Sequence, residues 1–566
     1  MKASDLIASK ISKLTNHVFT GQGGSVVHIL DSLSKIKKIQ IVPSQNEQGA
    51  SLAADAYTRC SGKLGIVIAT SGPGILNTLQ GIACSYFDSI PGVYISGAPV
   101  IASLKKSEKN RQVGFQEMDI VNLVKATTKY AVTIINPNRI SYEIDKCIHL
   151  AQSGRPGPTL IDIPDDIQRI NIDPKKQIKF IPKKNRIVSK NINFKKLSFL
   201  LQKSKRPLVV IGNGVKISKT EKLLNTILNK FNIPYAATWA CADSFPASER
   251  LNVGSFGTYA TRHGNLAIQN SDLLLILGSK LNRPVIGSNP KLFAKSAKKI
   301  QVDIDTYELK EENGVNTHLK INEDLKLFIP KLKKYLKKLD IDKDWYTKIN
   351  NWKKKYPIIK KDYLKEKNFT NPYIFFRKLS DICKKNYIIV NDASANLVWS
   401  YQSFISKKGQ KIFTALNHSP MGYSIAASIG ASLGAPKKKI IVIIGDGSVP
   451  MNVQELENIK SLNLPVYIFI INNRGYGMIK QTLNTWLKGN YVGCDKKSGL
   501  SLPDYNKIFS SYGIRTSEIN SNNEVGSKLK TILNQKGPIM CQVKVNPNAK
   551  IIPKTKPGDP IDVMSS

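Results

Sequence analysis

Apolar positions along the chain follow two rhythms. Short runs rich in Val and Ile recur at IQIVP (39–43), LGIVIAT (64–70), GVYISG (92–97), TLIDIP (159–164), LVVIG (208–212), LLLILG (273–278), KIQVDID (299–305), YIIVND (387–392), KIIVIIGDG (439–447) and VYIFIINN (466–473). Between them lie amphipathic stretches in which apolar residues return at helical spacing. The alternation predicts an α/β protein of parallel sheets covered by helices. The runs fall into three groups. A Lys-rich, Pro-containing segment at 175–195 divides the first from the second, and a charged stretch at 330–367 divides the second from the third. Domains are therefore expected at 1–170, 190–330 and 368–550. No short-period repeat is visible, but the first and third blocks share size and strand-helix rhythm. The tail IIPKTKPGDPIDVMSS, with its prolines, reads as an extended C-terminal arm.

Composition narrows the classes. With 566 residues and 41% apolar content the chain is too long for one hydrophobic core and rich enough to build several. No window carries the roughly 18 uncharged apolar residues that a membrane span needs. The N-terminal MKASDLIASKISKL places Asp and Lys where a signal peptide would be apolar. A soluble, cytoplasmic chain with no membrane partner is expected. The seven cysteines are scattered without a CxxC and the six histidines lack ligand spacing, so neither a disulfide framework nor a zinc site is expected.

A formal charge of +43 raises the question of nucleic acid, since clustered Lys and Arg gain affinity by releasing counterions from phosphates. Here the charge is dispersed, and its densest stretches (183–196, 331–338 and 351–367) fall where connections between domains are expected. No nucleic-acid partner is predicted, although such a field favours anionic ligands.

One stretch carries specific chemistry. In IVIIGDGSVPMNVQEL (441–456) an apolar strand ends at Gly445-Asp446-Gly447, VQELENIKSL (453–462) has helical spacing, and the strand VYIFIINN follows. In such a βαβ unit Asp446 and Asn473 lie side by side outside the carboxyl ends of neighbouring strands. An Asp and an Asn are two hard oxygen donors that can hold Mg²⁺ while leaving room for waters and phosphate oxygens. Flanking glycines would let a diphosphate approach the backbone. Alone, GDG is a weak signal and reads more readily as an Asp capping a helix in a turn.

With these two motifs at this interval the chain resembles the thiamine diphosphate (ThDP) enzymes, whose metal motif is GDG followed by NN. Within them it resembles the acetolactate synthase large subunit and relatives linked to cell-surface sugar pathways. The likeness rests on SGPG (71–74), SGRPGP (153–158), MGYSIAASIGA (421–431), GDG with NN, and SGLSLPDY (498–505).

The resemblance implies three α/β domains: pyrimidine-binding, central (the place of FAD or another nucleotide) and diphosphate-binding. It implies Asp446, Asn473 and the Gly475 carbonyl as Mg²⁺ ligands, and Gly445, Gly447, Ser448, Asn473, Pro73, Met421, Ser419 and Met478 at the cofactor. Met421 would prop the bent cofactor and Ser419 would accept from its 4′-amine. Glu47 of the EQGA motif would lie against the aminopyrimidine N1′, where a carboxyl in an apolar pocket shares a proton with the ring. Gln116 of GFQEMD would stand near the reacting carbon. The implied reaction is decarboxylation of pyruvate and transfer of the two-carbon unit to a second carbonyl compound, giving 2-acetolactate for branched-chain amino-acid synthesis. A 2-oxo acid decarboxylase and a carboligase acting on a keto-sugar are the alternatives. A homodimer or dimer of dimers is implied, with a small regulatory subunit as a further partner.

Departures from acetolactate synthase cluster where substrate and flavin would lie. Tyr-Pro-Gly-Gly reads Gly21-Gln22-Gly23-Gly24, followed by His28, which could serve as acid/base or substrate contact or simply be a satisfied buried histidine. An expected Lys is Asp165, an expected Trp is Thr482, and the His before the catalytic Glu is Asn46. In the central block Arg-Phe-Asp-Asp-Arg reads Lys280-Leu281-Asn282-Arg283-Pro284, and Gly-Met-His-Gly reads Gly254-Ser255-Phe256-Gly257. FAD binding and the acceptor stay open.

Overall fold

Each group of apolar runs forms its own parallel sheet in the computed structural model, which describes residues 1–104, 109–182, 192–310, 313–336 and 339–565. The first sheet holds β1 (His17–Gly21), β2 (Gln40–Pro43), β3 (Gly65–Ala69), β4 (Gly92–Ala98), β5 (Tyr130–Thr133) and β6 (Pro158–Pro164), in the order β2-β1-β3-β4-β6-β5. The second holds β7 (Pro207–Ile211), β8 (Tyr235–Ala237), β9 (Leu273–Leu277), β10 (Lys298–Asp303) and β11 (Leu319–Asn322), in the order β11-β10-β9-β7-β8. The third holds β12 (Ile388–Asn391), β13 (Lys411–Phe413), β14 (Ile440–Gly445), β15 (Val466–Asn472), β16 (Arg515–Ile519) and β17 (Ile539–Lys544), in the order β13-β12-β14-β15-β17-β16.

The first and third sheets thus have the same strand order, which accounts for the similar rhythm of their sequences. Central strands such as β14 (IIVIIG) are apolar without alternation because helices bury both faces.

Equivalent helices join the two sheets. Glu47–Ser61 follows β2 and Tyr423–Gly434 follows β13. The first starts at Asn46, whose side chain accepts from the Gln48 N–H at 2.8 Å, and stops at Gly62 in the left-handed conformation (φ 72°). The two helices pack backbone to backbone: a Cβ on Gly430 would lie 1.8 Å from the Ala53 carbonyl oxygen. Beside this contact a buried polar network crosses between the domains. The Tyr423 hydroxyl donates to Asp55 Oδ2 at 2.7 Å, Arg59 pairs with Asp55 (2.7 Å) and Asp88 (2.9 Å), and Asp88 also accepts the Leu416 N–H at 2.9 Å. Each carboxylate taken from water is met by several donors, the condition under which buried charge is tolerated.

Three local expectations change. The charged stretch 330–367, expected as a bare connection, contains the end of helix Leu325–Leu336 and the helix Lys343–Lys355. Most of their lysines face solvent while Phe328, Ile329, Leu332, Trp345 and Ile349 are buried against the second sheet, so the charge marks amphipathic helices. The part of the first Lys-rich segment at 183–191 lies outside the described residues. The C-terminal arm folds back as the hairpin β18 (Lys554–Thr555) and β19 (Met564–Ser565), and Asn265 and Arg262 of the central unit donate to the carbonyls of Ile561 and Met564. The helix expected at 453–462 begins only at Leu456. Asp446–Glu455 is a 3₁₀ segment broken at Asn452, with Pro450 inside it.

Candidate functional site

The carboxyl end of the third sheet forms a cleft. Gly445 and Asp446 leave β14, Asn473 leaves β15, and the helix Ala395–Ser403 begins above β12. The cleft is lined by Ser394 to Asn396, Met421, Gly445 to Ser448, Asn473 and Gly475. Asp446 is 1% exposed, and burial pushes its carboxyl up to about 7 despite N–H donors from Gly475 (3.0 Å) and Gly447 (2.9 Å). Tyr505 donates its hydroxyl to the Asp446 carbonyl, fixing the start of the loop.

The Asn473 amide lies 3.2 Å from Asp446 Oδ1 and 2.8 Å from the Gly475 carbonyl oxygen. Without a cation its nitrogen faces both and donates to them. With a hard cation the oxygen-inward arrangement is the favourable one, and a set of carboxylate, amide and carbonyl oxygens fits Mg²⁺. Beside it, helix Ala395–Ser403 begins at the cleft wall, with Ser394 to Asn396 among the lining residues, so its positive end is placed to favour an anionic group. Ser394, just before that helix, has φ 78° and ψ −152°, a region used almost only by glycine and costing about 1–3 kcal/mol. The strain sits at the cleft. The residues present fit a metal-bound diphosphate.

The other expected positions are distributed. Ser419 (φ 53°) lies two residues before Met421, and Met478 begins the helix after Asn473 but packs against the apolar cluster behind β14 and β15. Glu47, Pro73 and Gln116 belong to the carboxyl end of the first sheet. Asn77 donates to Glu47 Oε2 at 3.0 Å, and a Cβ on Gly21 would meet the Glu47 side chain at 2.3 Å. Pro73 opens the short helix after β3, and Gln116 (φ 56°) covers Gly72. His28 is neither buried nor alone: its Nε2 lies 3.4 Å from Asp165, which also pairs with Arg169.

Sequence reasoning missed four residues here. Asp392, at the end of β12, is fully buried and accepts from the N–H groups of Gly422 (3.0 Å) and Ser424 (2.9 Å), holding the Met421 turn. Asn396 and Tyr476 close over the glycines, with Tyr476 against Gly447. Glu455 is fully buried, and burial raises its carboxyl above the usual range against donors from Asn458, Asn46 and Gln45. An acid directly after a strand run, as in YIIVND, was the available signal for Asp392; Glu455 gave none.

A second cavity of about 350 Å³ opens at the carboxyl ends of β7, β9 and β10, between all three domains. Thr238 Oγ1, Trp239 Nε1, Ser279 Oγ and Asn282 Oδ1 are buried at its wall without a hydrogen-bond partner among the described residues. Asp303 is pushed up to about 6 by burial there, and Arg155 at the rim is held by Asp305 (2.9 Å) and Glu308 (2.8 Å). Orphaned buried polar atoms in a crevice of this size and place suit a polar organic ligand.

Comparison with known proteins follows the same division. Residues 1–123 match the model "Thiamine pyrophosphate enzyme, N-terminal TPP binding domain", 194–332 the central domain of these enzymes, and 392–543 their C-terminal TPP binding domain. The acetolactate synthase large subunit of Cyanidium caldarium is 30% identical over 570 residues, covering 98% of this chain and 94% of that protein. That of Lactococcus lactis subsp. lactis (strain IL1403) is 28% identical over 561 residues, covering 98% and 94%. That of Buchnera aphidicola subsp. Schizaphis graminum (strain Sg) is 30% identical over 545 residues, covering 93% and 91%.

Proposed function

Since the chain belongs to the thiamine pyrophosphate (ThDP) enzymes and resembles their acetolactate synthase large subunits, we propose that it decarboxylates pyruvate and joins the two-carbon unit to a second carbonyl compound. With pyruvate as acceptor the product is 2-acetolactate. The observation that carries the reading is the meeting of the Asp446 carboxylate, the Asn473 amide and the Gly475 carbonyl in one cleft beside the Ala395–Ser403 N-terminus.

Bound ThDP would supply the carbon nucleophile and electron sink that a 2-oxo acid needs to lose CO₂. The chain's own part is binding, aim and proton handling. Asp446, Asn473 and the Gly475 carbonyl would hold Mg²⁺, and Gly445, Gly447 and Ser448 would admit the diphosphate. Met421 and Ser419 would set the bend and the amine. Glu47 would hold a proton at the pyrimidine N1′, and Gln116 would orient the reacting carbonyl. For the second cavity the same reading proposes a nucleotide cofactor, FAD by resemblance, with Ser279, Asn282 and Thr238 offering polar partners.

A keto-sugar acceptor is the second reading, favoured by two observations. Thr482 is small and its hydroxyl is turned to the Met478 carbonyl at 3.0 Å, and Asp165, which stands where the resemblance leads one to expect a Lys, is engaged by His28 and Arg169. Both favour a roomier, less cationic acceptor side.

The test is turnover of pyruvate with ThDP and Mg²⁺, alone and with 2-oxobutyrate or a nucleotide-linked keto-sugar, with products identified by mass spectrometry. Pyruvate loss with 2-acetolactate formation is expected. Unconsumed pyruvate under every condition would overturn the assignment, and release of free acetaldehyde alone would convert it to simple decarboxylation.

A further inference from the structure

Glu455 ends the 3₁₀ segment that Asp446 begins, yet its carboxylate serves the other domain. Its Oε1 accepts the Asn46 backbone N–H at 3.2 Å, across 409 residues of sequence, and its Oε2 accepts from Asn458 at 2.8 Å. The residue is 0% exposed. Asn46 is the N-cap of the helix whose first residue is Glu47, and a Cβ on Gly49, one turn in, would lie 2.3 Å from Glu455 Oε1. The first turn of that helix is therefore seated on Glu455, with its carboxyl oxygens at the positive end of the helix.

Glu47 itself is held more lightly. Its carboxylate has the Asn77 amide at 3.0 Å and the Gly21 and Gly74 backbone around it. A shift of the first helical turn would move it directly, and misplacement by an ångström can cost on the order of 100-fold in rate. None of the described residues lining the Asp446 cleft comes from the first sheet, so Asp446 and Glu47 of one chain do not share that cleft.

We propose that Glu455 is a positioning residue for Glu47, so that one segment carries the Asp446 metal ligand at its start and fixes the aim of Glu47 at its end. The inference rests on the proposed catalytic role of Glu47. Through this segment, the grip on diphosphate in one cleft and the placement of the acid in another belong to the same short stretch of chain.

The test is a double-mutant cycle on the full-length protein with ThDP and Mg²⁺. Glu455→Ala should lower kcat about 10-fold or more, leave ThDP affinity by titration calorimetry within about twofold, and cost nothing further in a Glu47→Gln background. Glu455→Gln, which keeps an acceptor for the Asn46 N–H, should recover most of the loss. If Glu455→Ala does not fold, Gly49→Ala presses on the same carboxylate and should show the same kcat loss, again absent in the Glu47→Gln background. Additive losses, or wild-type kcat in the Ala variant, would overturn the positioning role. Wild-type turnover in Glu47→Gln alone would instead overturn the proposed role of Glu47 itself.

Discussion

At the scale of residues, the most telling atoms are those that pay a desolvation penalty for no visible return. Asp446, buried with backbone donors from Gly447 and Gly475 and with no cationic side chain paired to it among the described residues, is stable when a metal cation supplies the opposing charge. Asp446→Ala should therefore lose Mg²⁺-dependent ThDP binding by more than the roughly 10–100-fold that an outer-shell partner contributes to a metal site. Calorimetric titration with and without chelator measures it, and undiminished affinity would remove the clamp. Asp162 behaves differently. It is buried within β6 with Thr133 as a donor at 3.2 Å, and burial pushes its carboxyl up to about 7. The native state then binds a proton more tightly than the unfolded chain, so this group lowers stability as pH rises through that window and the penalty is complete above it. Asp162→Asn should raise the melting temperature most at pH 8 and little near pH 4. A gain that is the same at both values would show the carboxyl to be paired. The sequence made Asp446 and Asn473 legible because strand periodicity fixes what leaves a strand end. It left Glu455 illegible because a helix-internal Glu looks the same whether it meets water or another domain.

Elements show a similar split. The strands read from apolar runs include β3, β4, β6, β9, β14 and β15, all sandwiched between helix layers. Those passed over are mostly edges, such as β5 (YAVT), β13 (KIF) and β16 (RTSEI), whose exposed side needs no apolar residue. The pair of helices after β2 and β13 is rich in Ala, Gly and Ser, and small residues allow close approach without naming the neighbour. Gly430 makes that partnership testable. An Ala there would press a Cβ into the Ala53 carbonyl, and backbone yields little, so a loss of about 1–3 kcal/mol is expected. Gly526, inside helix Val525–Asn534 with nothing within 4 Å of its Cβ position, is the control, where Ala should gain about 0.5–1 kcal/mol. Thermal unfolding of the two variants in parallel would decide; equal effects would remove the close-packing account.

For the whole molecule, the fold class and three sheets were accessible from patterning because each sheet is a local βαβ succession. The relation between sheets was not, since identical strand order in the first and third leaves only a faint trace in sequence. The sequence puts Glu47 and Asp446 in different domains, and among the described residues Glu47 is not part of the wall of its own chain's Asp446 cleft. Large apolar side chains stand exposed near both half-sites, including Phe115 at 87%, Trp486 at 63% and Val492 at 70%. A second copy is the expected cover, each chain lending its Glu47 to the other's cleft. Co-expression of Glu47→Gln with Asp446→Ala then offers a sharp measurement. Two inactive variants should together recover about a quarter of wild-type activity, because half of randomly paired dimers carry one intact site. No recovery, together with a monomer in sedimentation, would place a whole site in each chain.

The polar bridge from Tyr423 to Asp55 joins positions 368 residues apart, and that separation has a bearing on how the protein is made. At the roughly 5–20 residues per second of synthesis, on the order of 20–70 s pass between the emergence of the two partners. During that interval the small-residue face of helix Glu47–Ser61 has no mate from its own chain, while the central unit is already complete enough to fold. The nascent first domain must wait with an uncovered surface, so yield in the cell should depend on holdase chaperones and on slowed aggregation at low temperature more than on the equilibrium stability of the finished molecule.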